Sequence, residues 1–470
     1  MSHSLGRVFI VGIGGAGMSG LARLLHAQGA KVCGSDAKDS RRIQALIAEG
    51  ITVHVGHEAK HLTDSSGNPS FDTIAASTAV PANNPELVRA KELEIKVINR
   101  AELLCALTNK YVVASVAGTH GKTTTTSMLT LILQSAGLDP SFAIGSELNE
   151  SGSNAHLGTG DVFVVEADES DGTFLELNTK VAIITNVEPD HLNYWQTFDR
   201  LESAFVDFTK RAMANHGLAI ICIDDIGGLK LANDAKANGV QIKTYGQSES
   251  ADYQVKLISH EKFGWKFEIQ TKGKTLFIAE LKVPGLHNVL NATGAAVAAL
   301  ELGADEKSVV RGLEMFSGTR RRFEFKGAVN AIRVYDDYAH HPTEIAATLK
   351  AAREVVGDGK IVVAFQAHHY YRTALFSKEF GASLGLADEV VVLEVFAPGE
   401  EFIPGSSGQT LADNVTLDKS HVIFEPSWSK VADHLVAKSN PGDIIMTLGA
   451  GEIGLLCPDV LEKLAAKVDE

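Results

Sequence analysis

Short apolar runs alternate with amphipathic stretches along nearly the whole chain. The runs RVFIVGI, FDTIAAS, YVVASVAG, DVFVVEAD, VAIITNV, LAIICID, KIVVAFQ, EVVVLEV and DIIMTLGAG are close to continuously apolar. That pattern predicts strands covered on both faces of parallel sheets. Between them, SGLARLLHAQG, TSMLTLILQSAG and HPTEIAATLKAAREV have helical periodicity, and Gly29 and Gly137 stand where helix C-caps belong. Strand–helix alternation predicts an α/β protein. From Tyr253 to Val283 the pattern becomes strict alternation around a KGK turn, which predicts an antiparallel meander with one solvated face. The α/β units restart near Asn109 and near Thr319. At roughly 100–200 residues per domain, the 470-residue chain divides into three: 1–109, 110–318 and 319–470.

Composition narrows the field. The formal net charge of −15 argues against sequence-independent nucleic-acid binding, which needs clustered lysine and arginine. Cys33, Cys105, Cys222 and Cys457 are isolated from one another and from histidines at zinc spacing, so neither a disulfide framework nor structural zinc is expected. The paired histidines His340, His341, His368 and His369 also lack a zinc-like spacing. No run approaches the ~20 apolar residues of a membrane span. The opening VFIVGIGGAGMSGLARLL is glycine-punctuated without a cleavage site, so a cytoplasmic protein is expected.

Two glycine loops carry the chemistry. Gly12, Gly14 and Gly17 spell G-x-G-x-x-G between a strand and a helix, and Asp36 closes the next strand at ribose-reaching distance. This predicts a Rossmann-like domain and a diphosphate-linked nucleotide. Alone it points to a nicotinamide dinucleotide and an oxidoreductase. The second loop, Gly118-Thr119-His120-Gly121-Lys122-Thr123, is a shortened Walker-type loop, with Val116 where the full pattern has glycine. Its backbone N–H groups can cradle phosphates, Lys122 can neutralise β/γ oxygens, and Thr123 can bind magnesium. DVFVVEADESD follows, and Glu166 ends its apolar run, so it is the expected metal carboxylate. Asp168, Glu169 and Asp171 are expected in a solvated acidic turn. Asn186, Asp190 and His191 end a further strand, where His191 is either structural or a second-metal ligand. A dehydrogenase has no use for both loops. A nucleotide-gated sensor without turnover is a third reading, and the intact set Lys122, Glu166 and His191 speaks against it.

The combination resembles the Mur ligases, the ATP-dependent enzymes that add amino acids during peptidoglycan synthesis. In chain order, GIGGAGMSGLA, SDA, AGTHGKTTTT, EADESD, TNVEPDHL, PGLHNVLNA, RRFEF, DDYAHHPTE, FQAHHYYRT and LEVFAPGEEFIPG carry the resemblance over essentially the whole chain. Their forms are most similar to the alanine-adding branch, with the branch that recycles murein tripeptide next. The resemblance implies an N-terminal Rossmann-like domain for the UDP substrate. It implies a central P-loop ATPase with a mainly parallel sheet plus the meander, and a C-terminal Rossmann-like domain for the amino acid. It implies UDP-N-acetylmuramate and L-alanine as substrates, ATP with two Mg²⁺ ions, and a monomer or weak homodimer.

Residue by residue, the resemblance places the UDP substrate on Gly12, Gly14, Gly15, Gly17, Met18, Ser35, Asp36, Ser77 and Thr78. ATP falls to Gly118, Thr119, Gly121, Lys122, Thr123 and Thr124, with His287, Asn288 and Asn291 on the adenine side and Arg322 and Asp337 beyond. Thr123, Glu166 and His191 hold metal, and His120 faces the reacting carboxylate. Tyr338, His340, His369 and Arg372 lie near the muramate and the amino acid. Two positions depart from the family pattern: Ala367 stands for proline and His369 for arginine, while Arg372 is kept. The side chain standing at the second charged position near the substrate carboxylates is thus an imidazole rather than a guanidinium, and its charge depends on pH. FDRLESAFVDF, where several Mur ligases carry a carbamylated lysine, offers none.

Overall fold

A computed structural model of the chain describes residues 5–469 other than 78, 151 and 262. Three sheets organise it. The first contains β1 (Val8–Val11), β2 (Val32–Asp36), β3 (Thr52–Val55), β4 (Thr73–Ala76) and β5 (Lys96–Asn99), in the order β3-β2-β1-β4-β5. All its pairings are parallel. The order reverses between β1 and β4, and in open parallel sheets such a switch point opens a crevice at the strands' C-terminal ends. The first glycine loop follows β1 there, and Ser77 follows β4.

The second sheet contains β6 (Val112–Ala117), β7 (Ser141–Ala143), β8 (Ala155–His156), β9 (Val162–Glu166), β10 (Thr179–Ile184), β11 (Leu218–Cys222) and β12 (Ile242–Gly246). It continues through β13 (Tyr253–Glu261), β14 (Gly264–Thr271) and β15 (Lys274–Leu281), giving the order β15-β14-β13-β12-β11-β10-β6-β9-β7-β8. β6 lies between β9 and β10 and is parallel to both. Along β15, Phe277, Ala279 and Leu281 are buried while alternate positions are exposed, the one-sided pattern expected of the meander.

The third sheet contains β16 (Glu324–Val329), β17 (Ile332–Asp337), β18 (Ile361–Phe365), β19 (Glu389–Val392), β20 (Val422–Phe424) and β21 (Ile444–Leu448), ordered β16-β17-β21-β18-β19-β20. Only β16 runs antiparallel to its neighbour.

By contact density the chain divides into two units. One contains Met1–Val255, Ile269–Phe277 and Leu290–Met315; the other contains Lys256–Glu268, Ile278–Val289 and Phe316–Glu470. The predicted caps are present: Gly29 and Gly137 have φ of 83° and 72°, the left-handed geometry that ends a helix. Among the described residues no helix is long and apolar enough to cross a membrane.

Candidate active site

The second glycine loop joins β6 to the helix Lys122–Ser135. Gly118 has φ 130°, and a Cβ there would stand 2.1 Å from Thr185 Oγ1; Gly121 has φ 82°, and a Cβ would stand 2.4 Å from Asn291 Oδ1. Only glycine fits either place. The loop therefore lies against backbone and amide groups at a helix N-terminus, where the N–H groups and dipole favour an anion. Because β9 and β10 flank β6, Glu166 at the end of β9 sits in register with Val116. Asn186 and His191 follow β10 on the other side.

These neighbours converge on Lys122. Its Nζ donates to Gly118 O at 2.8 Å, Thr119 O at 3.2 Å and Glu169 Oε1 at 2.8 Å. Burial alone would lower the Lys122 pKa, but the carboxylates around it, Glu169 first, raise it overall, so the ammonium stays charged. Thr123 Oγ1 donates to Glu166 Oε1 at 3.1 Å, and Glu166 Oε2 accepts Gly145 N–H at 2.7 Å. His191, at φ 53°, holds Nε2 3.6 Å from Glu169 Oε1. His120 N–H donates to Asn186 Oδ1 at 2.8 Å, and its Nε2 lies 3.2 Å from Glu188 Oε2. Thr119 Oγ1 accepts Glu188 N–H at 2.8 Å, and Thr124 is buried.

The acidic turn differs from expectation. Glu169 is fully buried rather than solvated. Desolvation pushes its pKa up, to about 7, against the pull of Lys122. Asp168 and Asp171 flank Arg100 at 3.7 and 3.5 Å. The donors fit a hard cation: a threonine hydroxyl and a carboxylate stand side by side. Glu169 Oε2 is buried with no hydrogen-bond partner among the described residues, an acceptor that a cation beside it would satisfy.

In the first glycine loop, Gly12 N–H and Ile13 N–H donate to Ser35 O at 2.8 and 3.0 Å, and Gly14 N–H donates to Asp36 Oδ2 at 2.9 Å. Asp36, expected on a ribose, therefore also shapes the loop. Gly15 caps the helix Ala16–Ala27, and a Cβ on Gly17 would stand 3.3 Å from Arg100 Cδ. Met18 lies in the core. Ser77 Oγ accepts Ala79 N–H at 3.4 Å, and Thr78 lies outside the described residues. Beneath the loop is a cluster that no motif singles out. Glu86, wholly buried, accepts Ser35 Oγ–H at 2.6 Å and meets Nδ1 of His57 at 3.0 Å and of His61 at 2.7 Å.

In the other unit, Asp337 Oδ2 accepts Phe323 N–H at 2.7 Å and Oδ1 accepts Ala339 N–H at 2.8 Å. Arg322 lies 5.4 Å from the Tyr338 ring and 3.5 Å from Glu344. His340 Nδ1 meets Tyr338 O at 3.0 Å. Asn288 Nδ2 donates to Pro284 O at 2.7 Å, and burial holds His287 down at about 4. His369 and Arg372 open the helix Tyr370–Leu384.

Burial pushes the Asp337 pKa up to about 6 from an ordinary 3.8. The folded chain therefore holds a proton there that the unfolded chain has lost. The resulting stability is full below about 4 and is lost as pH rises through about 6. Relative to Asp337→Asn, the wild type should lose up to about 3 kcal/mol across that window, read from denaturant midpoints. A constant difference would contradict it.

Three family models match in succession. Residues 7–112 match the Mur ligase family catalytic domain, 116–299 the Mur ligase middle domain, and 321–451 the Mur ligase glutamate ligase domain. The chain belongs to the Mur ligase family. Among Mur ligases it is 50% identical to the UDP-N-acetylmuramate–L-alanine ligase of Acidothermus cellulolyticus, over 98% of this chain and 95% of that protein. It is 47% identical to the ligase of the same name from Mycolicibacterium smegmatis, over 98% and 96%. The crystal structure of the UDP-N-acetylmuramate-alanine ligase of Thermotoga maritima superposes with a TM-score of 0.80 at 30% identity, covering 98% of this chain and 99% of that one. A murein peptide ligase from Psychrobacter arcticus gives 0.71 at 26%, covering 98% of each.

Proposed function

We propose that this Mur ligase joins L-alanine to the lactyl carboxylate of UDP-N-acetylmuramate, consuming ATP, in the cytoplasm, as a monomer or weak homodimer. What carries this reading is a buried lysine held by the loop after β6 and by Glu169 after β9, in a chain that aligns over 98% of its length with a ligase of that name. A nicotinamide-dependent oxidoreductase leaves the Lys122 loop without a task.

A carboxylate and an ammonium do not condense usefully at neutral pH. In our reading a carboxylate oxygen of the muramate attacks the γ-phosphorus of ATP, the P–O bond to ADP breaks, and an acyl phosphate forms. The alanine ammonium gives up a proton to solvent, its amine attacks the acyl carbon, and the tetrahedral intermediate passes an N–H proton to the departing phosphate as the C–O bond breaks and the amide forms. Lys122 carries the positive charge for the transferring phosphate, and the backbone N–H groups of Gly121 to Thr123 position it. Magnesium, two ions in this reading, would be held by Thr123 and Glu166 and by His191, and would spread the phosphate charge. The first glycine loop holds the UDP diphosphate, while Arg322 and Asp337 take the far side of ATP. Tyr338, His340, His369 and Arg372 serve the muramate and the amino acid.

Phosphate release from ATP tests the reading. Release should require both UDP-N-acetylmuramate and L-alanine. Release with UDP-N-acetylmuramate and murein tripeptide instead would move the chain to the recycling branch. Release under neither pairing would refute the ligase reading.

A further inference from the structure

The loops after β18 and β19 are laced together. His368 forms a parallel bridge with Phe396, His369 N–H donates to Phe396 O at 3.1 Å, and Phe396 N–H donates to Ala367 O at 2.9 Å. Glu400, further along the second loop, reaches back to the first. One carboxylate oxygen accepts Tyr370 N–H at 2.9 Å, and the other is paired with Nδ1 of His369. A single side chain thus caps the 15-residue helix Tyr370–Leu384 and clamps the residue that opens it.

His369 sits at φ 73° and ψ 129°, a backbone region that a residue with a Cβ rarely enters. Such strain persists only where surrounding contacts impose it. The ring contacts His368, 4.0 Å away centroid to centroid, and Tyr371, 5.4 Å away. With Nδ1 taken by Glu400, Nε2 is the ring nitrogen left to face a ligand. One turn on, Arg372 is 2% exposed, its guanidinium 5.7 Å from the Tyr371 ring. An imidazole is short and swings about two bonds, so its aim must be set from outside.

We infer that Glu400 is a positioning residue for the amino-acid carboxylate, fixing the His369 imidazole through Nδ1 so that Nε2 is the nitrogen turned to that carboxylate. The inference rests on the ligase reading, which assigns His369 and Arg372 to substrate carboxylates. Glu400 itself touches no substrate and acts through the imidazole.

Steady-state kinetics with each substrate varied in turn provides the test. Glu400→Ala should raise KM for L-alanine about tenfold, with kcat and KM for ATP within about twofold. Glu400→Gln keeps an acceptor for Tyr370 N–H and should raise it only about threefold. His369→Ala should raise KM for L-alanine at least as far as Glu400→Ala, and the double variant should be no worse in that KM than His369→Ala alone, because Glu400 acts through the imidazole. Equal rises in all three KM values, or additive effects in the double variant, would make Glu400 merely structural and overturn the inference. An unchanged KM for L-alanine in Glu400→Ala, with the wild type active, would overturn it alone. A wild type without alanine-dependent phosphate release would overturn the ligase reading and this inference with it.

Discussion

Replacing Lys122 with alanine is expected to cut substrate-dependent phosphate release by about 10³-fold, the scale of losing one preorganised charge at a transferring phosphate. The same change should destabilise the protein by about 3–5 kcal/mol, because Glu169 is left buried without its ammonium partner, 2.8 Å away in the wild type. The two effects separate in the double variant Lys122→Ala/Glu169→Gln. Removing the second charge relieves the uncompensated burial, so its denaturant midpoint should return most of the way to wild type while activity stays lost. A single variant that keeps more than about a tenth of the wild-type rate would mean that this loop does not hold the reactive phosphate. Recovered activity in the double variant would mean that the lysine serves the fold alone.

The site around Lys122 was legible because its parts are local. Glycine spacing, the lysine and the threonine occupy one loop, and an apolar run ending in Glu166 marks a strand end by itself. Which acid of EADESD lies inside was not legible. Asp168, Glu169 and Asp171 look alike in sequence, and the distinction arises from a distant residue, Arg100, which pairs with both aspartates. Buried strands were visible as apolar runs. The edge strands β3 and β5 were not, since their side chains are mostly half-buried or exposed and follow no apolar pattern. Met18, a motif position assigned to the substrate, also packs into the core, a task the motif does not announce. Asp36, picked out for a ribose, and Asp337, assigned to ATP, were chosen from their places in motifs. Both also accept backbone N–H groups, a structural task that a motif does not announce. Glu400 escaped because nothing in APGEE marks a reach back to His369.

Glu86 was equally hidden, since an acid in the first turn of the helix Pro85–Glu92 looks like an ordinary dipole partner. Its surroundings make it the second large effect. Glu86→Ala should cost about 3–5 kcal/mol, because it removes the buried acceptor of the Ser35 hydroxyl and of two imidazole Nδ1 groups. An ionised carboxylate only accepts, so each ring presents its Nδ1–H inward; Ser35 Oγ and His57 Nδ1, 3.0 Å apart, still have each other when the carboxylate is gone, whereas the His61 Nδ1–H loses its acceptor. The damage should also travel. Ser35 O anchors Gly12 and Ile13, so a loosened Ser35 shifts the first glycine loop. KM for UDP-N-acetylmuramate should then rise about tenfold while KM for ATP, bound at the other loop, moves little. Glu86→Gln preserves the volume and one acceptor, and should fall between the two in both measurements. If Glu86→Ala unfolds at the wild-type denaturant midpoint, the cluster is not holding the sheet. If it unfolds early but the two KM values rise together, Ser35 does not connect the cluster to the loop.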